Sequence, residues 1–125
     1  MTVIRQADLH YIETPGGNFG AAVATPSKGA ADVSIIRQRQ TAGGANPAHT
    51  HNREEVMLML SGEVTVVLDS EPVALSSGDS LIIPAGTTHQ IENRGAQDAE
   101  WLLLAPAGVE FIKSTGEKGT PPWAT

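Results

Sequence analysis

Three histidines and a glutamate stand out in this chain by their residue types and spacing. The first block, Gly43-Gly44-Ala45-Asn46-Pro47-Ala48-His49-Thr50-His51-Asn52-Arg53-Glu54-Glu55, runs on to Gly62. The second runs from Gly78 through Pro84-Ala85-Gly86-Thr87-Thr88-His89 to Asn93. Of the 4 histidines in the chain, three lie in these blocks, so a shared role is worth testing. Imidazole nitrogen and carboxylate oxygen hold divalent first-row metals. If His49, His51, Glu55 and His89 converge, the chemistry is that of a metal ion in a small-molecule pocket.

The spacing says which element must carry them. Residues two apart share a face on a strand and not on a helix, so His49-Thr50-His51 is a strand device. Asn46-Pro47 just before it argues against a helix. Glu55 opens the next apolar strand, and its face continues through Met57 and Met59, which are read as lining the same interior. Glu54 then points the other way. His89 follows a Pro-x-Gly turn and shares its face with Ile91. Each residue alone has an ordinary explanation: a hydrogen-bonded or surface histidine, a solvated strand end, methionine as core filler, glycine and proline as turn residues. Those explanations must together account for a histidine pair, a nearby carboxylate and a third histidine, each at a strand end beside a glycine turn.

The elements around them are short. Val33 to Gln40, Val56 to Leu60, Val64 to Leu68, Leu81 to Ile83 and Trp101 to Ala105 are strand-length and rich in Val, Ile and Leu. Turn residues separate them: Ser61-Gly62, Asp69-Ser70, Ser77-Gly78-Asp79, Pro84-Ala85-Gly86 and Asn93-Arg94-Gly95. Several short strands at close spacing predict an all-β sandwich or barrel. One short helix is expected near Val109 to Ser114, after Pro106-Ala107-Gly108. The tail from Thr115 to Thr125 reads as loose coil, with Trp123 placed either on the domain or on a neighbour.

With 125 residues the chain is read as one domain, 1–125, long enough for one hydrophobic core. Its 40% hydrophobic and 18% charged residues mark a folded chain rather than a disordered one. The absence of cysteine excludes disulfides, thiolate metal sites and cysteine nucleophiles. A net charge of −6 without a basic run argues against nucleic-acid binding. No window has the length of a membrane span, and Met1 to His10 lacks the apolar core of a signal peptide, so a cytoplasmic protein is expected.

The two blocks resemble the paired motifs of the cupin superfamily. The first cupin motif is Gly, five residues, His-x-His, three or four residues, Glu, six residues, Gly; Gly43, His49, His51, Glu55 and Gly62 meet it without departure. The second is Gly, five residues, Pro-x-Gly, two residues, His, three residues, Asn; Gly78, Pro84, Gly86, His89 and Asn93 meet that too. The short stretch between motifs resembles small single-domain bacterial members. The resemblance implies a double-stranded β-helix, or jelly-roll barrel. It also implies that His49, His51, Glu55 and His89 bind one divalent metal inside it: Mn, Fe, Ni, Zn, Co or Cu. Gly43 to His49 also resembles the germin version of the first motif, which implies that Asn46 lines the pocket. Germin's disulfide and secretory signal have no counterpart in this sequence.

Three imidazoles and one carboxylate would leave a divalent ion with charge near +1, and an octahedral ion would keep two open positions. Those suit a chelating small molecule such as a hydroxy-acid, enediol or diketone. A metal-dependent enzyme of the oxygenase or oxidase type is the leading expectation. The alternatives are a non-redox isomerase, cyclase or decarboxylase, and a binding or sensing module without turnover. On the strand before the first motif, Arg37 and Arg39 alternate with Gln38 and Gln40. Either pair could face the interior, so Arg37 and Gln38 both count as pocket candidates. Glu63, Asp79 and His10 are read as structural or remote. A homodimer is expected from the resemblance and from the apolar strands around Tyr11-Ile12 and Ala21 to Ala24.

Overall fold

Alternation in the longest strands sets the architecture. In Ala99–Pro106 the residues Ala99, Trp101, Leu103 and Ala105 are buried, and Glu100, Leu102 and Leu104 turn outward. In Glu55–Ser61, Glu55, Met57 and Met59 are buried while Val56, Leu58 and Leu60 turn outward. A strand with one apolar face needs a second sheet to cover it, and the chain provides two.

The computed structural model describes residues 1–120. Its strands, in chain order, are β1 (Ile12–Thr14), β2 (Asn18–Ala24), β3 (Val33–Gln40), β4 (His49–His51), β5 (Glu55–Ser61), β6 (Val64–Leu68), β7 (Glu71–Leu75), β8 (Ser80–Ile83), β9 (His89–Glu92), β10 (Ala99–Pro106), β11 (Phe111–Lys113) and β12 (Lys118–Gly119). They form two 6-stranded antiparallel sheets, ordered β1-β2-β3-β10-β5-β8 and β12-β11-β4-β9-β6-β7. This is the expected all-β jelly roll. The core between the sheets is built from Ile36, Met57, Met59, Val64, Val66, Leu75, Ile91, Ala99, Trp101 and Leu103.

Turn chemistry fixes the registers. Asp69 and Ser70 both have positive φ and join β6 to β7 as a two-residue hairpin, the turn whose twist matches antiparallel strands. Gly62, which ends the first motif, has φ +75, and a Cβ there would lie 2.6 Å from the Asp98 carbonyl oxygen. Only glycine tolerates both that dihedral and that approach. Strand β7 is not prominent in the sequence because Pro72 interrupts it; it lies at the sheet edge, where a missing N–H is tolerated.

Two expectations are corrected. Val109 to Ser114 is not helical: Phe111–Lys113 is strand β11, pairing with β4 on one side and β12 on the other. Six residues hold too few internal hydrogen bonds to stabilise a helix, and the sheet edge offers partners. Lys118–Gly119 in the tail is ordered as β12 for the same reason; Trp123 lies outside the described residues. Ala21 is fully buried and Ile12 packs against the core. Among the described residues no helix is long and apolar enough to cross a membrane.

Candidate metal centre

The second sheet brings the histidines together. Strand β4 pairs with β11, setting Phe111 opposite His51 and Lys113 opposite His49, and with β9 through His49 opposite His89. The two motifs are also tied outside the ladders. Gly86 donates its N–H to the His51 carbonyl at 2.9 Å, and the Asn46 side-chain oxygen accepts the Ile91 N–H at 2.7 Å. Asn93, the last residue of the second motif, serves the backbone: its amide donates to the carbonyls of Gln40 and Gln97 and accepts the Gly95 N–H.

One ring nitrogen from each of His49, His51 and His89 falls within 4.8 Å of the others. The ring centroids are 4.3 Å apart for His49 and His89, 4.9 Å for His49 and His51, and 4.8 Å for His51 and His89. His49 Nδ1 lies 2.8 Å from the Pro47 carbonyl, and His89 Nδ1 2.8 Å from the Thr87 carbonyl. A carbonyl only accepts, so each Nδ1 carries the proton and each Nε2 keeps a lone pair. Among the described residues, both ring nitrogens of His51 are buried without a hydrogen-bond partner. Orphaned buried polar atoms are rare in folded proteins and call for an explanation; a divalent ion accepting a lone pair would supply one. The residues therefore fit a metal.

Glu55 reaches the cluster from the opposite sheet, with an oxygen 3.4 Å from His51 Nε2. That distance would suit an ion pair, but burial holds both partners neutral. Burial pushes the Glu55 carboxyl up to about 8. Burial, reinforced by His49 and His89, lowers His51 to about 2. Burial and His49 lower His89 to about 4, against the opposing pull of the Thr87 carbonyl. Burial also lowers His49, opposed by the Pro47 carbonyl. Crowded, dry imidazoles cannot all be protonated, so the cluster is neutral and its nitrogens are ready to ligate.

A cavity of about 150 Å³ opens beside the cluster, lined by His49, His89, Glu55, Gln38, Asn46 and Ile91, with Pro47, Leu103 and Phe111 as apolar wall and Lys113 at the rim. A side cleft of about 50 Å³ adjoins it and shares Gln38, Asn46 and Pro47. His51 lies beneath, wedged against Phe111 with ring centroids 4.1 Å apart at 90°.

Two sequence expectations about the lining are corrected. Arg37 points to the outer face of β3, where its guanidinium donates to Glu100 at 2.8 Å; strand parity then turns Gln38 and Gln40 inward. Met57 and Met59 share the Glu55 face but fill the core at 0% and 1% exposure, further along β5 than the cavity reaches. Glu54, Glu63 and His10 are exposed. Asp79 accepts the Ser76 N–H in its turn. Phe111, Lys113, Leu103 and Pro47 line the cavity without having been singled out in the sequence. Pro47 adjoins His49 and could have been found there. The others come from strands distant in the chain and carry no local signal.

The family model described as a cupin domain matches residues 37–105. Germin-like protein 1-1 of Oryza sativa subsp. japonica is 29% identical over 118 residues, covering 86% of this chain and 55% of that protein. Quercetin 2,3-dioxygenase of Bacillus subtilis (strain 168) is 38% identical over 76 residues, covering 57% of this chain and 23% of that protein. The chain spans from 23% to 56% of the length of the curated relatives it matches. Among solved structures, the polyketide cyclase RemF from Streptomyces resistomycificus superposes with a TM-score of 0.81 at 20% identity, over 91% of this chain and 85% of that one. Together with the two complete motifs, the matched model shows that this chain belongs to the cupin domain family.

Proposed function

We propose that the protein is a metal-dependent enzyme in which His49, His51, His89 and Glu55 hold one divalent ion and a small organic substrate occupies the adjoining cavity. The observation that carries this is the aim of the nitrogens. Backbone carbonyls hold the Nδ1 protons of His49 and His89 and so leave both Nε2 lone pairs free, and among the described residues neither ring nitrogen of the adjacent His51 has a hydrogen bond. When bound, the ion supplies Lewis acidity and, if redox-active, one-electron chemistry with dioxygen.

The chain's own groups do the rest. Pro47 and Thr87 carbonyls keep two imidazoles in the ligating tautomer. Glu55, which burial keeps protonated near neutrality, would release its proton to solvent in order to hold the ion as a carboxylate. Phe111, Leu103, Ile91 and Pro47 exclude water around the reacting atoms. A cavity of this size holds a molecule of about one six-membered ring.

An oxygenase or oxidase reaction is the favoured class, supported by the likeness to quercetin 2,3-dioxygenase within the matched segment. The test is dioxygen uptake by iron- or manganese-loaded protein with small enediols, diketones and hydroxy-acids. Uptake dependent on His49 supports it. Equal turnover without oxygen replaces it with a Lewis-acid isomerase, cyclase or decarboxylase, and metal retention without turnover replaces it with a binding module.

We further propose a homodimer through the outer face of the first sheet. Registers align Ile35, Leu104, Val56 and Ile82 in one apolar row across β3, β10, β5 and β8, and Ile82 is 62% exposed. A two-fold axis would set this row against itself, flanked by the oppositely charged Arg37 and Glu100.

A further inference from the structure

Gln38 faces the cavity from the first sheet, and one contact decides which end of its amide is presented. Trp101 Nε1 lies 2.7 Å from Gln38 Oε1. An indole N–H can only donate, so the atom it meets must be the amide oxygen. Trp101 is 2% exposed and sits in the core, so this anchor does not swing away. Among the described residues Gln38 Nε2 has no hydrogen-bond partner, and Gln38 lines both the main cavity and the side cleft.

We infer that Gln38 is a specificity-determining residue: Trp101 locks its amide so that the NH2 group donates to the ligand, and the site selects a ring-sized molecule carrying a carboxylate or carbonyl oxygen. The lining favours the same polarity. The Asn46 side-chain oxygen is committed to the Ile91 N–H, and Lys113, whose ammonium pairs with Glu117 at 3.7 Å, is the cationic residue of the lining. The apolar wall formed by Leu103, Ile91, Phe111 and Pro47 fits the ring. Trp101 acts through Gln38 as a positioning residue. This rests on the reading that the cavity beside the histidines is the substrate pocket.

The test uses three one-ring probes, benzoate, benzylammonium and toluene, titrated into zinc-loaded protein by calorimetry, with zinc content measured in parallel. Wild type is expected to bind benzoate more tightly than the other two. Gln38→Glu keeps an oxygen for Trp101 and replaces the donor by an acceptor. It should weaken benzoate by about tenfold or more and strengthen benzylammonium. Gln38→Leu should weaken benzoate and spare toluene. A merely structural glutamine would not reverse the preference between the charged probes. Failure of wild type to bind any ring, or a benzoate-to-benzylammonium ratio within about twofold of wild type in both variants, overturns the inference. Loss of zinc from wild type with the reversal intact overturns the metal reading and leaves the role of Gln38 standing.

Discussion

His49 and His89 are register partners, and the pairing of β4 with β9 rests on this couple. The two residues that would hold a metal from the two motifs are thus also a structural seam. His49→Ala should lower metal affinity by more than about 100-fold, read by elemental analysis and competition with a chelator. His49→Gln keeps a polar side chain in the seam. If it retained metal at the wild-type level, His49 would not be a ligand.

Glu55 makes metal uptake pH-dependent in a way that an exposed carboxylate would not. Its carboxyl is pushed up to about 8 by burial, so near neutrality it holds a proton that the ion must displace. Calorimetry of zinc binding in buffers of different ionisation enthalpy should show release of about one proton at pH 7 and almost none above pH 9. Glu55→Gln should remove the release. Proton release unchanged in Glu55→Gln would place the displaced proton elsewhere.

The metal-free protein should be most stable near neutrality. His51 and His89 are lowered from 6.5 to about 2 and about 4, and His49 is lowered in the same direction. The unfolded chain therefore binds more protons on these residues. Their stabilising contribution is present above pH 6.5 and is lost as pH falls toward those values. Glu55 is raised from 4.5 to about 8, so its contribution is present below pH 4.5 and lost as pH rises through 8. Three imidazoles oppose one carboxyl, which makes the acid limb the steeper. Urea denaturation from pH 5 to 9 should give a maximum near pH 7, and added zinc should lift the alkaline limb most. A monotonic rise to pH 9 would contradict the burial of Glu55 as an acid.

The outer face of the first sheet gives a further prediction. Leu104→Glu places a charge in the apolar row that includes Ile35, Val56 and Ile82, and should convert a dimer to monomer in sedimentation without loss of metal. A wild-type monomer at micromolar concentration would refute the dimer.

The sequence by itself determined the strand device at His49 and His51, the orientation of Glu55 rather than Glu54, and the turns at Gly62 and Asp69-Ser70. All are local: two-residue parity on a strand and dihedrals that few residues tolerate. The tertiary structure alone decided the rest. Phe111 and Lys113 became strand because β4, distant in the chain, offered hydrogen-bond partners. Arg37 went out and Gln38 in because one-residue parity on β3 is set by what β10 and the core require, and no motif marks it. The tautomers of His49 and His89, the orphaned nitrogens of His51 and the protonated Glu55 all follow from burial and from carbonyls brought to the rings. A residue's type says that it can ligate a metal; only its surroundings decide whether its lone pair is free to do so.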